Sequence, residues 1–251
     1  MLAIIGGTGL TEMPGLDIVG HFSSETPLGT ASNGVTHGRL NGRDVLFIAR
    51  HGHPHKLPPH RINYRANLWA LKQAGATRVV GVNAVGGIDP LLAPGTLVVP
   101  DQLVDYTHDR EATFFDGRFK PLKHIDFSWP YSAGLREALL QAGRDQGLSV
   151  VDGGIYGATQ GPRLETAAEI SRLARDGCTL VGMTGMPEAA LARELALEYA
   201  CLSLVVNPAA GVTDAEITMA EIEAALEGAM VQARGLLEHL LVCSDVPDLE
   251  S

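Results

Sequence analysis

A single-domain α/β/α sandwich with a central mixed, largely parallel sheet is the fold class that three observations predict for this 251-residue chain. Short apolar runs of strand length recur along the sequence, segments with helical spacing lie between several of them, and glycines close three of those segments.

The strand candidates are LAII at 2–5, VLFIA at 45–49, RVVGV at 78–82, TLVV at 96–99, TLVGM at 179–183 and LSLVV at 202–206, all rich in branched residues. Helical spacing runs from Tyr64 to Ala74, Ser132 to Gln146 and Thr166 to Asp176, stopped by Gly75, Gly147 and Gly177. A further helix is expected from Pro187 to Ala200. The stretch Met219 to Val242 reads as a long amphipathic helix, with Ile222, Leu226, Met230, Leu236, Leu237 and Leu240 on or near one face. Residues 105–130 lack periodicity, and a long irregular excursion of this kind marks a functional loop or an interface element. No repeat or linker divides the chain, so residues 1–251 are expected to form one domain.

Composition limits the function. A hydrophobic fraction of 45% against 19% charged residues suits a sizeable core. A formal charge of −10 disfavours nucleic acid, which is bound by Lys and Arg neutralising phosphates. The three cysteines, Cys178, Cys201 and Cys243, are well separated and lack metal-ligand spacing, as expected of core thiols in a reducing compartment. The start MLAIIGG has no basic leader, and no stretch approaches a membrane span, so a cytoplasmic enzyme or binding protein is expected.

The chemistry gathers where strands end. Gly6-Gly7-Thr8-Gly9 lacks the dinucleotide spacing, and Pro14 and Gly15 follow closely. It reads either as an anion-binding turn, with the Thr8 hydroxyl as a donor, or as a tight turn without a ligand. In Ala49-Arg50-His51-Gly52-His53-Pro54-His55, the Arg50 fork suits phosphate and His51 is expected to add a donor. The alternating histidines also resemble a metal ligand set, which keeps a metal-dependent hydrolase as the rival from another class. Asn83-Ala84-Val85-Gly86-Gly87 reads as a strand-end loop. Thr184 precedes a helix whose first turn suits Pro187, close to the positive end of its dipole. Glu165 and Asn207 gain meaning only in combination with these.

Together IIGGTG, ARHG, NYRANLWALK, NAVGG, QGPRLET and GMTGMPEAALA, in that order, resemble the trimeric purine nucleoside phosphorylase and methylthioadenosine phosphorylase family over nearly the whole chain. The resemblance implies a nucleoside phosphorylase-like fold. It implies cleavage of a purine nucleoside by phosphate as co-substrate, with no cofactor and no metal, in a homotrimer with shared sites. It implies phosphate binding by Thr8, Arg50, His51, Asn83, Ala84 and Thr184. Met183 would lie against the ribose, Asn207 with Pro208 and Ala209 at the base, and His124 in a neighbouring subunit's site. His51, Glu165 and Asn207 would be the catalytic groups.

The methylthioadenosine enzymes carry aspartate where this chain has Asn207. Asn207 donates to O6 or N7 of a 6-oxopurine, and Glu165 accepts from N1–H. Against adenine, Glu165 would face an unprotonated nitrogen, a penalty of about 1–3 kcal/mol in a buried site. No histidine stands at Ile217-Thr218-Met219, and an apolar Met219 suits a 5′-methylthio group. A 5′-methylthio 6-oxopurine nucleoside is therefore the expected substrate, with a methylthioadenosine enzyme and a general 6-oxopurine enzyme as alternatives.

Overall fold

The computed structural model describes residues 1–10 and 12–243. The first strand, β1 (Leu2–Gly6), is buried throughout. After it come β2 (Asp17–His21), a two-residue pair β3 (Glu25–Thr26) and β4 (Gly29–Thr30), β5 (Thr36–Leu40), β6 (Arg43–Ala49), α1 (Tyr64–Gln73), β7 (Arg78–Gly87), β8 (Leu97–Val99) and β9 (Gln102–Asp105). The second half adds α2 (Ala133–Asp145), β10 (Val150–Asp152), β11 (Ile155–Ala158), α3 (Ala167–Arg175), β12 (Leu180–Gly182), α4 (Gly185–Glu194), β13 (Glu198–Pro208) and α5 (Met219–Cys243).

The main sheet runs β10-β8-β13-β7-β1-β6-β5-β2, with β12, β11 and β9 branching from the end of β7. Its centre is parallel, β13 with β7, β7 with β1 and β1 with β6. Antiparallel pairs join β8 to β13 and β5 to β6 and β2.

Alternation along β1 makes the sandwich. Ala3 and Ile5 face a core with Leu68 and Leu71 of α1 and Ala189 and Leu191 of α4. Leu2 and Ile4 face the opposite core, with Leu135 and Leu139 of α2 and Leu236 and Leu237 of α5. A strand buried on both faces must be apolar at every position, which is why it reads as a continuous hydrophobic run.

Two expected boundaries are corrected. NAVGG is the second half of the ten-residue strand β7 rather than a loop, because β13 and β12 pair with it as far as Gly87. The helix expected to Ala200 ends at Glu194, where Ala196 takes a left-handed φ of 51°, and β13 has begun by Glu198. The strands β2, β5, β9, β10 and β11 were not expected.

The excursion at 105–130 is irregular, as expected, but tightly anchored. Phe114 is fully buried, and Trp69 meets Phe119 edge-on at 5.1 Å. The Arg110 guanidinium donates to the carbonyls of Met183 (2.8 Å), Met186 (2.7 Å) and Gln160 (2.8 Å). Among the described residues no helix is long and apolar enough to cross a membrane.

Candidate active site

Strand ends and helix starts converge on a cavity of about 560 Å³. Gly7 and Thr8 reach it from the turn after β1, Arg50 and His51 from the end of β6, and Asn83 and Ala84 from within β7. Met183 and Thr184 enter after β12, Asn207 from β13, Glu165 from the segment before α3, and Met219 from the first position of α5. Pro208 and Ala209 stand off its wall, and Ala209 packs instead with Ile88, Ile170 and Val181. His124 is exposed on the excursion and does not join this chain's cavity.

No helix follows the glycine turn. Leu10 N–H closes it on the Gly7 carbonyl at 3.0 Å, and the next element is strand β2. A Cβ at Gly7 would lie 2.4 Å from the Val82 carbonyl oxygen and 2.8 Å from Arg50 Nη1, so glycine lets this turn lie against the arginine.

Arg50 is fully buried and already partnered. Its Nε donates to Glu188 Oε2 at 2.7 Å, Nη2 to Glu188 Oε1 at 2.8 Å, and Nη1 to the Val82 carbonyl at 2.8 Å. Tyr199 Oη donates to the same Glu188 Oε1 at 2.7 Å. Burial alone would lower the Arg50 pKa, but the Glu188 carboxylate raises it above the ordinary value, so the guanidinium stays charged. Three of the five guanidinium N–H groups are thus engaged in fixing the side chain. Sequence reasoning missed Glu188, although it lies inside GMPEAALA; a lone glutamate in a helical run looks like a solvated charge.

His51 differs from its expected role as a simple donor. Its Nδ1 lies 2.8 Å from the Leu57 carbonyl, which can only accept, so the ring proton is on Nδ1. Burial, then the Arg50 charge, depress its pKa to about 4, so the ring is neutral near pH 7 and Nε2 is an acceptor. His55 stacks on it with ring centroids 4.3 Å apart. The alternating histidines therefore do not converge as a ligand set. Among the described residues the group whose ligand atoms do converge is Asp145, His239 and Cys243, on α2 and the far end of α5.

Thr184 precedes α4, but the first turn is broken by an extended Met186 (φ −123°, ψ 143°). The Thr184 hydroxyl instead accepts from Asn83 Nδ2 at 2.6 Å. Asn207 follows an irregularity in the β13–β7 register, and its Nδ2 donates to the Pro208 carbonyl at 2.6 Å. One amide N–H is used to orient the group, and the second is left for the cavity. Glu165 Oε1 accepts from the Thr159 hydroxyl at 2.5 Å.

The remaining wall was not anticipated. His55, Lys56, Leu57, Pro58 and Pro59 form one side, and Ile222, one turn beyond Met219 on α5, adds an apolar surface. Apart from His55, one of the alternating histidines, and Ile222, on the apolar face of α5, these are unremarkable in sequence, because the loop after β6 gains its place only through the fold.

Known proteins resemble the chain throughout. A sequence model of the Phosphorylase superfamily matches residues 1–242. A probable S-methyl-5′-thioinosine phosphorylase of Pseudomonas syringae pv. tomato is 58% identical over 96% of this chain and 98% of its own length. A 6-oxopurine nucleoside phosphorylase of Pyrococcus furiosus is 42% identical over 88% of this chain and 84% of its own. The structure of methylthioadenosine phosphorylase from Schistosoma mansoni in complex with adenine superposes with a TM-score of 0.91, at 29% identity, covering 96% of this chain and 90% of that one. With the family model and these relatives agreeing over nearly its full length, the chain belongs to the phosphorylase superfamily.

Proposed function

We propose that this enzyme cleaves S-methyl-5′-thioinosine with phosphate, giving hypoxanthine and 5-methylthioribose 1-phosphate. The observation that carries the reading is one cavity shared by an anion-binding end (Thr8, Arg50, His51, Ala84, Thr184), a base-reading pair (Asn207, Glu165) and an apolar end (Met219, Ile222). The names of the relatives support the same substrate class.

Phosphate is the co-substrate and no cofactor is needed. The two N–H groups left on Arg50, the hydroxyls of Thr8 and Thr184 and the Ala84 backbone hold it beside C1′. The neutral His51 accepts from a protonated phosphate oxygen through Nε2. As the C1′–N9 bond lengthens, its electron pair moves into the purine and the ribosyl carbon becomes cationic; a phosphate oxygen then closes the new C1′–O bond, and the proton the phosphate gives up passes by way of solvent to the purine anion, which leaves as hypoxanthine. Asn207 donates to O6 or N7 as negative charge grows there, and the second oxygen of Glu165 accepts from N1–H. Such fixed donors stabilise the transition state without reorganising. In the homotrimer that the resemblance implies, the partner subunit's His124 completes the pocket.

The test is phosphate-dependent release of base from methylthioinosine, methylthioadenosine and inosine by metal-stripped protein, compared as kcat/KM. Preference for methylthioinosine is expected. Preference for methylthioadenosine would overturn the base assignment, and turnover without phosphate would overturn phosphorolysis itself.

A further inference from the structure

One face of the two central strands carries a line of polar side chains that ends at the cavity. Ser203 is the register partner of Asn83 in β7, and Cys201 lies two residues earlier on the same face of β13. Cys201 Sγ is 3.1 Å from Asn83 Oδ1 and 3.2 Å from Ser203 Oγ, and Asn83 Nδ2 is 2.6 Å from Thr184 Oγ1. Cys201 and Ser203 are fully buried, Asn83 is 1% exposed, and Thr184 lines the cavity.

We propose that Cys201 is a positioning residue for phosphate: its S–H, given to Asn83 Oδ1, turns the amide so that Thr184 must direct its own hydroxyl proton into the cavity. The polarity follows from what each group can do. With Oδ1 accepting from the thiol, the Asn83 amide presents N–H to Thr184 Oγ1, which there can only accept. Ser203, facing a sulfur whose proton is already given away, supplies its own to that sulfur. Burial pushes the Cys201 thiol up to about 12, so it remains a protonated donor across the working range of pH. On the other side, the buried Tyr156 hydroxyl accepts the Thr184 backbone N–H at 3.4 Å, which fixes the Thr184 backbone. With Asn83 Nδ2 donating to Thr184 Oγ1, the Thr184 hydroxyl proton is left for the ligand.

Without the thiol proton, no other donor to Asn83 Oδ1 among the described residues holds the amide in this orientation. A flipped Asn83 offers Oδ1 to Thr184, which then donates inward, and the cavity loses one donor at its anion end. The effect should fall on phosphate and spare the nucleoside.

This inference rests on the phosphorolysis reading, and two variants separate them. Cys201→Val loses the donor and is slightly larger, whereas Cys201→Ser keeps a donor and is slightly smaller. Steady-state constants for both substrates, melting temperature and calorimetric phosphate binding are measured on each. Cys201→Val is expected to raise KM for phosphate about tenfold, or about 1.4 kcal/mol, with KM for nucleoside within about twofold; Cys201→Ser should restore it. If the valine variant does not fold, Ser203→Ala should raise the phosphate KM about two- to threefold with the same selectivity. Equal changes in both KM values, a larger phosphate defect in the serine variant, or no change in any variant would overturn the positioning role. Absence of phosphate-dependent turnover in the unaltered protein would instead sink the functional reading.

Discussion

In the function proposed here, the choice between two purines comes down to one atom of Asn207. An amide donates where a carboxylate accepts, and the structure ties one amide N–H to the Pro208 carbonyl so that the other is presented in a fixed direction. Asn207→Asp should lower kcat/KM for methylthioinosine about 10²–10³-fold, the loss of about 2.7–4 kcal/mol typical of a donor aimed at developing charge, while methylthioadenosine gains relative to it. Unchanged discrimination in a competition assay would remove Asn207 from this role. His51 gives a second expectation, in stability. Its imidazole titrates near 6.5 when unfolded and near 4 when folded, because burial and Arg50 oppose its charging. Between those values the unfolded chain binds more protons, so stability falls as pH falls through the window, by on the order of 3 kcal/mol in all. His51→Phe should flatten the dependence of melting temperature on pH between 4 and 6.5; equal slopes in the two proteins would place the ring in a less buried setting. Both residues were legible in the sequence, because each closes an apolar run at a point where sheet strands deliver side chains to a ligand. The partners that fix Arg50 and His51 were not, since Glu188 and Leu57 meet them only through the fold.

On the proposed reading, the first turn of α5 is the element that distinguishes a methylthio from a hydroxyl end. Met219 is 64% exposed in the open cavity and Ile222 lies one turn along, so a bound 5′-methylthio group covers surface that water now wets. Met219→Ser should raise KM for methylthioinosine about tenfold, the 1–3 kcal/mol that a few apolar contacts contribute, with inosine little affected. A parallel loss on both substrates would argue that the turn itself had been disturbed. At this scale the sequence was read unevenly. All five long helices were expected because glycine stops, periodic apolar faces or an N-terminal proline mark them. The hairpin joining β5 to β6 was missed, although Asn41-Gly42 at its tip takes φ of 53° and 76°, the left-handed pair that a tight hairpin turn needs. Its first strand, β5, is half exposed and carries Thr36, His37 and Arg39, so no apolar run announces it. NAVGG was misread for the opposite reason. Glycines that suggest a loop are here held in a strand by neighbours on both sides, and at Gly87 an added Cβ would meet the Leu92 carbonyl at 2.4 Å.

For the molecule as a whole, the expected homotrimer is open to direct measurement. Light scattering should give about three times the 26.6 kDa of one chain. Mixing an inactive Asn207→Ala protein with an inactive His124→Ala protein should restore activity if sites are shared between subunits. A monomeric mass, or no recovery on mixing, would assign each cavity to a single chain. The order of strands has a further consequence, in time rather than in space. β13 lies between β7 and β8, yet it is the last strand to be synthesised. Until Glu198–Pro208 has left the ribosome, β7 and β8 each present an unpaired edge, and Asn83 lacks the strand that carries Cys201 and Ser203. Such edges recruit other strands, so a chain halted in its final quarter is an aggregation hazard, and the anion end of the cavity is among the last features of the protein to exist.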